Sequence, residues 1–200
     1  MQKEEAVVVD TRPTMQFAVG HVPGSIHIGL RGQYASWAAR ILGLDTRLII
    51  AGEDPEHVRE SQMRLARVGI ENVVGYLADG VAGWIKNGFE LDYIPQIAVQ
   101  EFVEMRERGG NQIAVLDVRE PGERAEGAIE QSLSIPLGKL KSRTAELDRE
   151  KLLVVHCKGG YRSSIATSIL RRAGLRNIAN LTGGFDAWKA AELPCVLPET

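Results

Sequence analysis

The sequence predicts two tandem α/β domains, each a parallel β-sheet with helices on both faces. Three observations carry this prediction. Four sequence patterns occur twice along the chain, in the same order. Within each copy, short apolar runs alternate with segments of helical periodicity, which is typical of strand–helix–strand units. The chain has 200 residues, and each half is long enough to enclose a hydrophobic core.

The repeat is clearest at the first strand of each half. V-V-V-D-T-R-P at residues 7–13 resembles A-V-L-D-V-R-E at 114–120, with the aspartate and the arginine in the same places. Three further pairs of segments match: G-H-V-P-G-S-I-H-I at 20–28 with G-A-I-E-Q-S-L-S-I at 127–135, L-A-R-V-G-I-E-N-V at 65–73 with L-R-R-A-G-L-R-N-I at 170–178, and G-V-A-G-W at 80–84 with G-F-D-A-W at 184–188. Four matches in one order indicate a duplicated domain.

The individual elements follow from residue type and spacing. Six short runs rich in β-branched residues have the character of buried parallel strands. They are residues 6–10, 48–51, 73–76, 113–117, 152–156 and 178–181. Helices are predicted over residues 33–42, 55–68 and 161–173; the second begins with a proline, and the last two are followed by a glycine.

The domain boundary is predicted within residues 91–96, where Pro95 interrupts the chain and a new helix begins near Ala98. The first domain then covers residues 1–93 and the second covers residues 97–200.

Composition excludes several classes of function. Hydrophobic residues make up 44% of the chain, charged residues 25%, and the formal net charge is -2, which is typical of a globular protein without a nucleic acid or anionic membrane as partner. No apolar stretch approaches the roughly 20 residues needed to cross a bilayer, and the start lacks the apolar segment of a signal peptide. Two cysteines, Cys157 and Cys195, are too few for a disulfide scaffold. We therefore expect a cytoplasmic protein.

The segment after the strand at 152–156 carries the strongest chemical signal. Cys157 follows that strand directly, and a helix is predicted to begin near Tyr161. Ligands bind beyond the carboxyl ends of parallel strands, where the thiol meets backbone N–H groups and the positive end of a helix, both of which favour the thiolate. Gly159 and Gly160 permit the backbone angles that turn amides inward, and Arg162 adds a cation.

C-K-G-G-Y-R-S at residues 157–163 resembles the C-x-x-G-x-R-S active-site loop of the rhodanese sulfurtransferase superfamily. D-V-R-E at 117–120 and L-T-G-G-F-D-A-W at 181–188 are similar to the family's opening and closing motifs. The resemblance implies that Cys157 takes sulfur from a small anionic donor, forms a persulfide, and passes the sulfur to a thiol or cyanide. The residues that would bind the donor and stabilise the persulfide are Lys158, Gly159, Gly160, Tyr161, Arg162 and Ser163.

The length of the loop after Cys157 favours a sulfurtransferase over a phosphatase. Four residues lie between Cys157 and Arg162, which is the spacing that the rhodanese resemblance associates with sulfur substrates. The related phosphatases have one residue more. A redox enzyme is also disfavoured, because the sequence has no C-x-x-C motif.

The first half departs from the pattern at the cysteine. L-I-I-A-G-E-D-P at residues 48–55 replaces the strand and loop and puts Glu53 or Asp54 near the cysteine position. A carboxylate cannot form a persulfide and repels an anionic donor, so we expect this domain to be catalytically inactive. A helix-start role, accepting free backbone N–H groups, is the simpler account of these carboxylates. The second half departs only in G-A-I-E-Q-S at 127–132, where the family has G-H-I-x-G-A.

The first half also resembles the rhodanese portion of metallo-β-lactamase–rhodanese fusions, which are similar to persulfide dioxygenases. The resemblance rests on G-H-V-P-G-S-I at 20–26, Q-Y-A-S-W at 33–37 and E-D-P at 53–55. We expect a fragment or a stand-alone relative of such a fusion, with a metallo-β-lactamase-type domain as a candidate partner. The histidines form no H-x-H-x-D-H cluster, so no metal or other cofactor is predicted; they are His21, His27, His57 and His156.

Two functions thus remain open beside simple sulfur transfer: a non-catalytic docking or regulatory module, and a sulfur-relay part of a larger persulfide-oxidising protein. Several other conspicuous residues are expected to be structural. Asp117 and Arg119 form a pair that ties a strand end to a loop, because the same pair recurs in the half without chemistry. Trp84 and Trp188 are core anchors by the same argument. His156 is not expected to act as a general base, because neighbouring residues on a strand point to opposite faces.

Overall fold

The computed structural model describes residues 6–197. The chain divides into two compact units, of which the first ends at Tyr93 and the second begins at Ile94. Every strand pairing within the two sheets is parallel, so the predicted fold class of two tandem parallel-sheet domains with helices is confirmed. No helix in residues 6–197 is long and apolar enough to cross a membrane.

The first unit contains a four-stranded sheet with the order β2-β1-β3-β4. Its strands are β1 (Val7–Asp10), β2 (Ile26–His27), β3 (Leu48–Ala51) and β4 (Val73–Tyr76). Its helices are α1 (Thr14–Val19), α2 (Tyr34–Leu42), α3 (Pro55–Ala66) and α4 (Gly80–Lys86). The central strands β1 and β3 supply much of the buried core.

The second unit contains a five-stranded sheet with the order β5-β9-β8-β6-β7. Its strands are β5 (Gln96–Ile97), β6 (Ile113–Asp117), β7 (Leu133–Ser134), β8 (Leu152–His156) and β9 (Ile178–Leu181). Its helices are α5 (Val99–Gly109), α6 (Pro121–Ala125), α7 (Leu137–Arg143), α8 (Tyr161–Arg172) and α9 (Gly184–Ala190). All six predicted strand runs are strands. The sequence analysis missed β2, β5 and β7, since two residues are too few to show a periodic pattern.

Nearby residues determine where helix α3 begins and where helices α3 and α8 end. The Asp54 carboxylate caps α3 by accepting the His57 N–H at 2.8 Å, which confirms the predicted helix-start role of this residue. Both helices are followed by a glycine in the left-handed region, Gly69 with φ +80° and Gly174 with φ +86°. A residue with a side chain is strained in that conformation, so each glycine ends its helix.

The aspartate–arginine pair has the same structural role in both units, as predicted. In the second unit, Arg119 donates to both carboxylate oxygens of Asp117 at 2.7 to 3.1 Å and to the Gly127 carbonyl at 2.8 Å. In the first unit, Arg12 bonds to Asp10 and to the Gly20 carbonyl in the same way. Each pair is buried and joins a strand end to the following loop.

The two equivalent tryptophans differ in burial. Trp188 is 4% exposed and packs against Phe102 of α5, with 5.9 Å between the ring centroids. Trp84 is only partly buried and contacts Phe89 instead, so the prediction of Trp84 as a core anchor is wrong. The physical reason lies in the contact partner: Phe102 against Trp188 is fully buried, whereas Phe89 against Trp84 is itself 54% exposed.

Candidate active site

Cys157 lies at the carboxyl edge of the second sheet, directly after strand β8. This strand lies between β9 and β6, and its last four residues are buried. Cys157 follows directly and is 1% exposed. Residues 157–160 then connect β8 to the first turn of α8. The thiol therefore sits at the positive end of a twelve-residue helix.

The thiol of Cys157 has two polar neighbours from its own loop. The backbone N–H of Gly160 donates to Sγ at 3.1 Å, and Sγ lies 3.5 Å from the Ser163 hydroxyl. That hydroxyl donates to the Gly160 carbonyl at 3.1 Å. Gly160 has φ +105°, a backbone conformation that residues with a side chain rarely adopt. The Gly160 N–H and the helix end stabilise negative charge on sulfur, either as a thiolate or as a longer sulfur anion.

Two backbone hydrogen bonds join helix α9 to residues 157–160, the cysteine loop. The N–H of Phe185 donates to the Cys157 carbonyl at 2.8 Å, and the N–H of Asp186 donates to the Lys158 carbonyl at 2.9 Å. Gly184 makes this approach possible: a β-carbon there would lie 2.6 Å from the Lys158 carbonyl oxygen and still closer to that of Cys157. Gly184, in the L-T-G-G-F-D-A-W motif at residues 181–188, therefore belongs to the active-site architecture.

Arg162 lies at the site but its charge is already paired. Its two terminal nitrogens contact the two carboxylate oxygens of Glu123, at 2.5 and 2.6 Å. Glu123 lies on α6 and also accepts the Glu120 N–H at 3.1 Å. The hydrogen bond from Arg162 lowers the pKa of Glu123, so this carboxylate is charged at neutral pH. The sequence analysis missed Glu123. The E-x-x-E capping pattern after β6 signals a fixed carboxylate, but not its partner 39 residues away.

The remaining predicted residues lie in the same loop and in the first turn of α8. Lys158 is exposed, Gly159 lies beside the Asp186 carboxylate, and Tyr161 is partly buried in the first turn of α8. A β-carbon built on Gly159 would be 3.9 Å from Asp186 Oδ2. Asp186 is thus a second carboxylate at the loop that the sequence analysis did not identify as functional.

Comparison with known proteins assigns the family. The sequence model of the family described as Rhodanese-like domain matches the chain twice, over residues 1–87 and 98–191. The chain belongs to the rhodanese-like family.

Three similar proteins each match about half of this chain. A sulfurtransferase of Allochromatium vinosum is 34% identical over 87 residues, covering 44% of this chain and 81% of the relative. A putative mitochondrial thiosulfate sulfurtransferase of Schizosaccharomyces pombe is 35% identical over 96 residues, covering 42% of this chain and 68% of the relative. The crystal structure of a rhodanese-related protein from Thermoplasma volcanium is 35% identical, with a TM-score of 0.48, and covers 52% of this chain and 99% of that one.

His156 precedes the cysteine of the second rhodanese-like unit and is fully buried. Its Nδ1 lies 3.3 Å from the Cys157 carbonyl oxygen and its Nε2 lies 3.8 Å from Asp117 Oδ2. Burial lowers the pKa of His156, so the ring is neutral at pH 7. A buried neutral ring that faces Asp117 is consistent with a structural role.

The first rhodanese-like unit has no thiol at the equivalent position. Asp10 pairs with Ala51 in the sheet as Asp117 pairs with His156, so Gly52 occupies the place of Cys157. The sequence analysis put Glu53 or Asp54 near this position. The strand register instead puts Gly52 there, one residue before Glu53 and two before Asp54. The connection from β3 to α3 has three residues, one fewer than the connection from β8 to α8.

The carboxylate of Glu53 is engaged locally in this shortened loop. It accepts the Gln16 amide at 2.7 Å and lies 3.3 Å from His57 Nδ1. The other two histidines of the unit, His21 and His27, are buried and bond to backbone carbonyls at 2.8 and 2.9 Å. Both rings stack on Phe17, so His21 and His27 serve packing and local hydrogen bonding.

Proposed function

We propose that the second rhodanese-like unit is a sulfurtransferase in which Cys157 carries the transferred sulfur as a persulfide. One observation supports this function above the others: Sγ of a buried cysteine receives the Gly160 N–H at 3.1 Å at the positive end of α8. This environment favours a sulfur anion. The relatives named as sulfurtransferases support the same class of reaction.

In the first step, the Cys157 thiolate attacks the outer sulfur of an anionic donor, thiosulfate or glutathione persulfide. A bond forms between Sγ and the outer sulfur while the sulfur–sulfur bond of the donor breaks. Its electron pair leaves with sulfite in one case and with the glutathione sulfur in the other. The Gly160 N–H and the helix end then stabilise the persulfide anion.

In the second step, an acceptor thiolate or cyanide attacks the outer sulfur of the persulfide. The bond to Sγ breaks and Cys157 returns to its thiolate form. Both steps are displacements at sulfur, and no oxidant or reductant is consumed. The four residues between Cys157 and Arg162 match the loop length expected for sulfur rather than phosphate substrates.

The first rhodanese-like unit is proposed not to carry sulfur, because Gly52 stands in the cysteine position and the loop is one residue shorter. Its proposed role is that of scaffold or docking surface. A metallo-β-lactamase-type domain is the partner that the sequence resemblance suggests. The chain would then relay sulfur within a larger persulfide-oxidising protein.

The function is tested by turnover with cyanide as acceptor, followed as thiocyanate. We expect activity with thiosulfate or glutathione persulfide in the wild type and background rates in Cys157→Ser. Cys195→Ser is the matched control, because Cys195 is exposed and outside the loop; we expect it to retain wild-type rates. Circular dichroism checks that each variant is folded. A wild type inactive with every donor refutes sulfur transfer and leaves a docking module, whereas an active Cys157→Ser refutes transfer through Cys157 and moves the chemistry to another residue.

A further inference from the structure

We infer that the Cys157 site selects a persulfide, whose fixed charges lie away from the reacting sulfur, over a compact dianion such as thiosulfate. Glu123 and Asp186 set this preference because their negative charges offset the positive charges of Lys158 and Arg162 at the entrance to the site, which we call the mouth. The inference rests on the proposed sulfur transfer and specifies its donor.

The cations of the loop and of the first turn of α8, Lys158 and Arg162, are not both available to a donor. Lys158 is exposed, whereas Arg162 directs both terminal nitrogens at the Glu123 carboxylate. A bidentate pair of this kind is charge-assisted and among the stronger hydrogen-bonded arrangements in proteins. The pair raises the pKa of Arg162 and lowers that of Glu123, so both partners are charged at neutral pH and their charges offset each other.

Glu123 is held in place by a second interaction. Its side chain accepts the N–H of Glu120 at the start of α6, and the Glu120 side chain completes the reciprocal capping box. Separating Glu123 from Arg162 therefore also disturbs the helix start. The side chains of Arg162 and Glu123 are 17% and 33% exposed, so solvent screens this pair less than it screens a pair on the open surface.

Asp186 places a second, exposed carboxylate beside the loop. It lies in the first turn of α9, and its N–H donates to the Lys158 carbonyl at 2.9 Å. Its Oδ2 would lie 3.9 Å from a β-carbon on Gly159. The cations Lys158 and Arg162 are thus accompanied by the carboxylates of Asp186 and Glu123. Glu120 adds negative charge that acts on Arg162.

This charge balance treats the two donors differently. Thiosulfate carries two negative charges, shared between the sulfur under attack and the sulfite group bonded to it, and the attacking thiolate adds a third. A mouth without net positive charge gives that transition state little stabilisation. A protonated persulfide brings no charge to the reacting sulfur, and the carboxylates of glutathione persulfide are many bonds away.

The step with a persulfide balances without another reactant. The Cys157 thiolate forms a bond to the outer sulfur of R–S–SH, the bond between the two donor sulfurs breaks, and the electron pair leaves on R–S as a thiolate. The proton stays on the outer sulfur, now bound to Cys157, until the Gly160 N–H and the helix end favour its loss.

The test compares kcat/KM for thiosulfate and for glutathione persulfide in the wild type, Glu123→Gln and Asp186→Asn. We expect the wild type to favour glutathione persulfide. Each substitution removes one negative charge near the loop and raises kcat/KM for thiosulfate on the order of tenfold, mainly through KM. The value for glutathione persulfide changes less than about threefold. Added salt is expected to reduce the gain with thiosulfate.

Glu126→Gln is the matched control, because Glu126 is exposed at the end of the same helix α6. We expect it to leave the donor ratio at the wild-type value. A wild type that prefers thiosulfate overturns the inference, and so does an unchanged donor ratio in both Glu123→Gln and Asp186→Asn. Either result leaves sulfur transfer itself intact. Inactivity of the folded wild type with both donors would instead overturn the proposed function.

Discussion

Gly184→Ala gives the sharpest test of how α9 shapes the cysteine loop. A β-carbon at Gly184 would lie 2.6 Å from the Lys158 carbonyl oxygen, whereas ordinary contact begins at 3.4 Å. The loop must therefore retreat by about 0.8 Å, and the Cys157 carbonyl must move further. A displacement of about 1 Å at a reacting group lowers rates on the order of 100-fold. We expect a loss of this size in kcat/KM for sulfur transfer.

Gly80→Ala in the first rhodanese-like unit is the matched control. Gly80 begins α4 as Gly184 begins α9, and both have φ +56°. The backbone cost of an alanine in this conformation, about 1–2 kcal/mol, is therefore common to both variants. A β-carbon at Gly80 would lie 3.0 Å from the Gly52 carbonyl oxygen, in a loop without a thiol. We expect full activity in Gly80→Ala.

The assay combines steady-state sulfur transfer with hydrogen exchange at the Phe185 amide, which donates to the Cys157 carbonyl at 2.8 Å. Gly184→Ala should exchange this amide faster, because the displaced loop weakens the bond. The reasoning is refuted if Gly184→Ala keeps both wild-type turnover and wild-type protection of this amide.

Three further predictions concern stability and the first unit. Arg119→Met leaves the buried Asp117 carboxylate without its main partner and should lower the free energy of unfolding in urea by about 3–5 kcal/mol; Arg108→Met, which breaks a pair with side chains 78% and 61% exposed, should cost under about 1 kcal/mol. The free energy of unfolding should decrease as the pH is lowered from about 7.5 to about 5.5, because burial lowers the pKa of His21, His27 and His156 from 6.5. In this range the unfolded chain binds more protons than the folded chain. A free energy of unfolding that stays constant over this range would contradict the prediction. Gly52→Cys in a Cys157→Ser background should gain no cyanide-removable sulfur, because the loop is one residue too short; a persulfide there would show that loop length is not limiting.

The central strands were predictable because each sequence run is almost wholly apolar. Strands buried on both faces, such as β8, need no alternating pattern. The edge strands β2, β5 and β7 have two residues each and are defined by pairing with a neighbour rather than by their own sequence. Trp84 shows the same limit. Its sequence context matches that of Trp188, but its burial depends on the residue packed against it, which is the exposed Phe89 rather than a buried ring such as Phe102.

The cysteine loop was predictable because it is local. Cys157 and Gly160 lie in one short connection and Arg162 lies in the first turn of the helix that follows, so their geometry follows from the strand before the connection and the helix after it. The carboxylates that balance its charge are not local. Glu123 reaches the site from α6 and Asp186 from α9, and only the sheet order brings those helix starts to one edge. The place of Gly52 likewise depends on strand register, which the sequence does not display.

The most direct test of sulfur transfer through Cys157 is intact-mass analysis of the chain after incubation with glutathione persulfide and removal of excess donor. The account predicts a mass increase of one sulfur atom per chain, located on the peptide containing Cys157 and removed by cyanide. Cys195→Ser should show the same increase and Cys157→Ser should show none. A sulfur on Cys195 alone, or the absence of any cyanide-removable sulfur on the wild type, would contradict it.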